Sequence, residues 1–175
     1  CTVARTSAMA QGEACLVTRN NPMHDSVPYL FNDQMDETDI LHEYFVPPDR
    51  FAGFVDLCRA VIPKAKAEFL NVTLRYVDAD PVAVLAYAPQ KRIAAVMSFS
   101  QEISPEGEVD MMTMTEALIE GVKDLGGAFY LPYRLHARRD QVRSIYPRTE
   151  DFIAAKRRLD PSLLFRNMMW DAYFA

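Results

Sequence analysis

An α+β fold built on an antiparallel sheet is predicted for this 175-residue chain by three observations. Several short runs alternate apolar with polar residues or are rich in branched and aromatic side chains, and two longer runs repeat their apolar residues every three or four positions. Proline, glycine and aspartate clusters separate the runs. Half of the residues are apolar, enough at this length for one core with an appendage.

Residues 1–40, with NNPMHD and VPYLFNDQMDETD, have few periodic apolar positions and read as an irregular lead-in. Leu41 to Val46 (LHEYFV) is a short strand, closed by Pro47 and Pro48, which cannot continue a ladder. Asp49 as N-cap and Pro63 as stop bracket a helix in which Phe51, Phe54, Val55, Cys58, Val61 and Ile62 form one buried stripe. From Ala67 to Val77, Leu70, Val72, Leu74 and Tyr76 share one strand face and Asn71, Thr73 and Arg75 the other. DADP leads into Val82 to Ala88, read as a strand, and PQK into the strand RIAAVMSFS. After SPEGE, Met111, Met114, Leu118, Val122 and Leu125 mark an amphipathic helix, ended by Gly126 and Gly127. AFYLPYR is the last strand. RRDQVRSIY and EDFIAAKRRL follow as short helices separated by Pro147, and Pro161 precedes an aromatic tail, LLFRNMMWDAYF, too apolar to be left in water.

Strand, helix, two or three antiparallel strands, helix, strand is the ferredoxin-like order, with both helices on one sheet face and the other face bare. The expected organisation is a lead-in at 1–40, a ferredoxin-like domain at 41–134 and a helical segment at 135–175. A bare face suits a partner, a ligand or a second domain.

The composition narrows the function. No run reaches the roughly 18 to 20 apolar residues of a membrane span, and the N-terminus lacks both a Met start and the order of a signal peptide. The chain therefore reads as a piece of something longer. Three widely spaced cysteines give neither a disulfide framework nor a zinc ribbon, so a reducing cytoplasm is expected. The three histidines have no metal-ligand spacing, and no metal is expected. Net charge is -5, yet residues 126–175 hold nine of the 19 Lys and Arg and five of the 24 Asp and Glu. Without a nucleic-acid motif, that basic segment reads as a solvated helix face or a seam against an acidic neighbour, not a nucleic-acid site. Six glycines form no phosphate-binding loop.

Arg75 stands out, since with Thr73 and Asn71 it points to the bare face, where a fixed guanidinium can hold an oxygen-rich substrate or developing negative charge. Ser98 and Ser100 share a face on the next strand and come near Arg75 if register allows. Tyr130, Tyr133, Arg134 and His136 form a second cluster, and His136 has the chemistry of a proton acceptor. Ordinary packing or solvated surface accounts for each of these residues equally well from pattern alone.

Taken in order, HEYFVPPDRFAGF, LNVTLRYVDADPVAVLAYA, GGAFYLPYR and DPSLLFRN resemble the C-terminal part of flavin-linked oxidases of the vanillyl-alcohol oxidase type, near the alditol, aldonolactone and decaprenylphosphoryl-ribose oxidases. The resemblance implies a substrate-covering cap domain and a segment returning to an N-terminal FAD domain not contained in these residues. It implies oxidation of a sugar, polyol or lactone hydroxyl by hydride transfer to flavin, with Arg75 stabilising negative charge and His136 as base. It further implies Thr73, Ser98, Ser100, Tyr130 and Tyr133 as substrate-binding residues. Thr73 stands where the alditol oxidase has a glutamate, and Tyr133 where the decaprenylphosphoryl-ribose oxidase has a lysine, which leaves the substrate open. A freestanding ferredoxin-like ligand-binding or regulatory module is the alternative, and the bare face or the tail would also suit a homodimer.

Overall fold

The computed structural model describes residues 35–175. Most of the expected lead-in lies outside them. Strand β1 (Glu37–Val46) leads to helix α1 (Phe51–Val61), then β2 (Glu68–Val77), β3 (Arg92–Glu102), helix α2 (Pro105–Asp124) and β4 (Ala128–Phe129). The sheet order is β2-β3-β1-β4 with every pair antiparallel, which is the ferredoxin-like order in an α+β architecture.

Alternation decides which side chains meet the helices. The direct pairs Ile40↔Phe99, His42↔Met97 and Tyr44↔Ala95 place these residues on the face under α1 and α2. Ile40, Tyr44, Met97 and Phe99 join Phe54, Met111, Met114, Leu118, Ile119 and Val122 in the core. The same parity sends Leu41, Glu43 and Phe45 of β1 to the opposite face.

Several elements depart from expectation for local reasons. β1 starts at Glu37 rather than Leu41, because Glu37 to Ile40 pair with Glu102 to Phe99 despite their polar character. Asp49 does not cap α1; the chain enters through a 3-10 turn at Pro48–Arg50 and no side chain caps the helix. Val82 to Ala88 is a loop, not a strand. The Asp80 carboxylate accepts from the Val82 and Ala83 amides and turns the chain, and the Asp80 amide donates to the Ala88 carbonyl at 2.8 Å. The loop folds back so that Tyr87 stacks on Phe45 at 4.2 Å between ring centroids.

Helix α2 begins inside SPEGE, where the Ser104 hydroxyl accepts from the Gly107 amide and Glu106 and Glu108 occupy the first turn, as the helix dipole favours. It ends at Gly126, whose φ of 71° is the left-handed cap that glycine adopts without strain. β4 is short because Pro132 has no amide to offer a ladder and the chain leaves the sheet after the Tyr130 amide bonds the Glu43 carbonyl.

Three short helices follow: α3 (Arg139–Ile145), α4 (Thr149–Leu159) and α5 (Met168–Tyr173). They rest on α2. Gln141 donates to the Glu116 carbonyl and the Glu120 carboxylate, Arg138 pairs with Glu116 and Glu120, and the Tyr146 hydroxyl donates to the Phe129 carbonyl. The Arg139 guanidinium closes the tail by donating to the carbonyls of Asp171, Ala172 and Ala175. Trp170, Tyr173 and Phe174 are buried, whereas Leu164, Phe165 and Met168 are exposed. The basic end is thus partly matched by α2's acids. Among the described residues, no helix is long and apolar enough to cross a membrane.

Candidate functional site

Two polar constellations lie on opposite sides of the sheet and approach each other at its edge. On the open face, Thr73 opposes Val96 and Arg75 opposes Ala94, while on the next strand Glu43 opposes Val96 and Phe45 opposes Ala94. Arg75, Thr73, Glu43 and Phe45 therefore share a face. The Tyr130 amide on the Glu43 carbonyl adds Tyr130 at the far side. Rings continue the row: Phe45 to Tyr87, Tyr87 to Tyr130 at 6.0 Å and Tyr130 to Tyr133 at 4.8 Å.

Electrostatics couples this group. Partial burial raises the Glu43 carboxyl above the ordinary carboxylate range, against the pull of Arg75's positive charge. Burial, then Glu43 and Tyr130, raise the Tyr133 hydroxyl, with Arg75 again opposing. Among the described residues, no hydrogen bond or ion pair engages the side chains of Arg75, Glu43, Tyr130 or Tyr133. A guanidinium, a carboxyl and phenol hydroxyls without hydrogen-bond partners among the described residues are what a hydroxylated ligand can use.

The serines stand elsewhere on this face. Ser98 opposes Asn71, four residues along β3 from Ala94, and Ser100 opposes Glu68, six residues along. At roughly 3.4 Å per residue these positions are about 14 and 20 Å from Arg75's row. Ser100 is buried and donates to Glu37 at 3.0 Å.

His136 lies on the helix side and is buried. Its Nε2 is 2.8 Å from Glu108 Oε1, and its Nδ1 is 3.3 Å from Thr115 Oγ1. Thr115 Oγ1 is also 3.4 Å from His42 Nδ1, which is 3.2 Å from the Tyr44 hydroxyl. Glu108 further accepts from Gln101 at 2.9 Å and from Arg134 at 3.3 Å. Those hydrogen bonds, Gln101's first and His136's next, hold its carboxyl below the ordinary range. His42 is driven the other way from a charged state: burial, then the nearby His136 and Arg134, lower it to about 3.

Where β4 ends, a notch of about 10 Å³ is lined by His42 and Thr115 from the helix side together with Glu43, Tyr130, Tyr133 and Arg134. That is close to room for one water molecule. The structure thus puts Arg75 and Thr73 on one face with Glu43, sets Tyr130 and Tyr133 at the far edge of that face, where Arg75's charge still acts on Tyr133, leaves Ser98 and Ser100 farther along the strands, and places His136 behind the sheet.

Glu43, His42, Thr115 and Glu108 escape the sequence reading. The signal for two of them was present in LHEYFV, where a histidine and a glutamate on opposite faces of an apolar strand each need a reason. Thr115 and Glu108 gave none, because helix positions only meet strand residues once the packing is known. No three His, Cys, Asp or Glu among the described residues are arranged to hold a metal ion. Compared with protein-family models and with curated proteins, the chain matches none.

Proposed function

We propose that this chain is the substrate-binding cap portion of a FAD-dependent oxidoreductase that oxidises a sugar, polyol or lactone hydroxyl. The observation that carries the reading is the sheet face away from the helices, which carries Arg75 and Glu43 with Tyr130 and Tyr133 at its edge, their side chains making no hydrogen bond or ion pair among the described residues. Hydroxyls find donors and acceptors there, Tyr rings offer flat apolar surface to a carbon skeleton, and Arg75 supplies positive charge where an oxygen turns negative.

The described glycines do not build a holder for a dinucleotide. Gly121 packs against Leu57 and Gly127 against the Phe45 carbonyl, while Gly126 caps a helix. FAD would accordingly be held by the protein's own N-terminal domain, with the present residues forming the wall that faces it. When bound, FAD accepts the hydride. This chain's part is to bind and orient the alcohol and to manage charge and proton. Residues 135–175 would reach that domain through the exposed Leu164, Phe165 and Met168. The reading places the protein in the cytoplasm and leaves a homodimer through the open face as a secondary association.

The test is Arg75→Ala in the intact enzyme, with anaerobic reduction of the flavin by a panel of sugars, polyols and lactones. The expected result is reduction roughly 100-fold slower or more, as for loss of a charge-stabilising donor. An unchanged rate would remove Arg75 from the site.

A further inference from the structure

The polar chain buried behind the sheet has no part in substrate binding as described above, yet it runs from the notch to solvent. We propose that His42, Thr115, His136 and Glu108 form a proton relay that carries the substrate's hydroxyl proton from the open-face site, around the sheet edge, to the groove beside Glu108. The proposal rests on the oxidoreductase reading and adds the route of the proton to it.

The geometry is continuous. His42 Nδ1 to Thr115 Oγ1 is 3.4 Å, Thr115 Oγ1 to His136 Nδ1 is 3.3 Å and His136 Nε2 to Glu108 Oε1 is 2.8 Å. At the entry, His42 is 4% exposed and its Nε2 has no hydrogen-bond partner among the described residues, while its ring lines the notch shared with Glu43, Tyr130 and Tyr133. At the exit, the Glu108 side chain is 44% exposed and borders a groove of about 610 Å³ together with His136, Arg134 and Met168. His42 otherwise sits among apolar groups, with Phe99 at 5.5 Å between ring centroids. A packing role alone would be served better by leucine, since an unpartnered ring nitrogen at such a position costs stability.

The protons can be placed. Thr115 has one, donated to the Met111 carbonyl at 2.7 Å, so its oxygen accepts. His42 then carries hydrogen on Nδ1, directed at Thr115 and the Tyr44 hydroxyl, with a lone pair on Nε2 toward the notch. His136 carries hydrogen on Nε2, donated to Glu108, with its lone pair on Nδ1. In the transfer, the hydroxyl proton, directly or through one water in the notch, binds His42 Nε2 as the Nδ1 proton moves to Thr115. Thr115's own proton rotates from Met111 to His136 Nδ1, and the His136 Nε2 proton passes to Glu108 and to solvent. One proton leaves the substrate oxygen and one reaches water, the hydride being what a bound flavin would accept, and the two rings return to their resting tautomers between turnovers. Among the described residues, Tyr44, Glu43, Tyr130, Tyr133, Arg134 and His136 are the titratable and charged groups around His42, and the low proton affinity given above makes it a conductor of protons instead of a store.

The experiment uses the intact flavoprotein. Nitrogen NMR of the histidine rings at neutral pH should show His42 protonated on Nδ1 and His136 on Nε2; hydrogen on His42 Nε2 would close the entry and overturn the relay whatever the variants do. Anaerobic flavin reduction in light and heavy water is then compared for wild type, Thr115→Val, Thr115→Ser and Arg75→Ala. We expect Thr115→Val to slow reduction at least about tenfold and change the solvent isotope effect, and Thr115→Ser, which restores the hydroxyl, to recover both. Wild-type behaviour of Thr115→Val alongside a slow Arg75→Ala overturns the relay and leaves the oxidoreductase reading standing. An intact protein without flavin overturns both.

Discussion

Arg75 on β2 and Glu43 on β1 share the sheet face away from the helices with β3 between them, Arg75's charge opposes the burial that raises the Glu43 carboxyl, and neither side chain has a hydrogen bond or ion pair among the described residues. Burial acts on both sides of β1, through desolvation of Glu43 in front and of His42 behind. For His42 the sign is definite. Its affinity for a proton falls on folding, to about 3 from an ordinary 6.5, so the unfolded chain binds the proton more tightly throughout that interval. Stability from this source is complete above about pH 6.5 and drains away as pH falls toward 3. At about pH 4 the loss amounts to roughly 3 kcal/mol. Urea unfolding of wild type and His42→Phe across this range should give a pH-dependent difference of that order, flat above neutrality; parallel curves would mean that His42 titrates normally. Arg75 and Thr73 were legible in the sequence because a strand's faces follow from alternation alone. Placing Ser98 beside Arg75 was not, because alternation fixes the face and says nothing of register, which here puts Asn71 opposite Ser98.

Strands and helices set how firmly the site is held. The segment carrying Tyr130 and Tyr133 enters through Gly126 and Gly127, and these two glycines serve different ends. Gly126 provides a left-handed residue, worth about 1 kcal/mol against alanine. Gly127 lies so close to β1 that an added Cβ would sit 2.6 Å from the Phe45 carbonyl oxygen, against backbone that cannot swing aside. Gly127→Ala should therefore destabilise by about 2 to 3 kcal/mol, clearly more than Gly126→Ala, in chemical denaturation of each variant. Equal effects would place the constraint in the cap and not in the strand contact. Both helices and all four strands were readable from the sequence pattern, apart from the start of β1 and the length of β4. The Val82 to Ala88 loop was not, because its branched residues have strand propensity while the Asp80 side chain competes for the local amides and wins. Its outcome matters to the site, since the loop delivers Tyr87 to Phe45 and Tyr130.

At the scale of the molecule, the described residues set helices on one side of the sheet and Arg75, Glu43 and the rings of Phe45, Tyr87, Tyr130 and Tyr133 on the other. The relay joins that face to the opposite side through the sheet edge, where β4 stops short and leaves the notch. The ferredoxin-like order could be predicted because each element carries its own pattern; the relay could not, because it joins a strand, a helix and a loop separated by 21 to 73 residues. The basic character of residues 126–175 is likewise resolved only in three dimensions, where Arg138 meets Glu116 and Glu120 of α2. The measurement that bears most directly on the central claim is the visible absorption spectrum of the purified intact protein, recorded anaerobically before and after addition of sugars, polyols and lactones. The account predicts a flavin band that bleaches with at least one of these hydroxyl compounds. A colourless intact protein, or a flavin band that none of them bleaches, would contradict it.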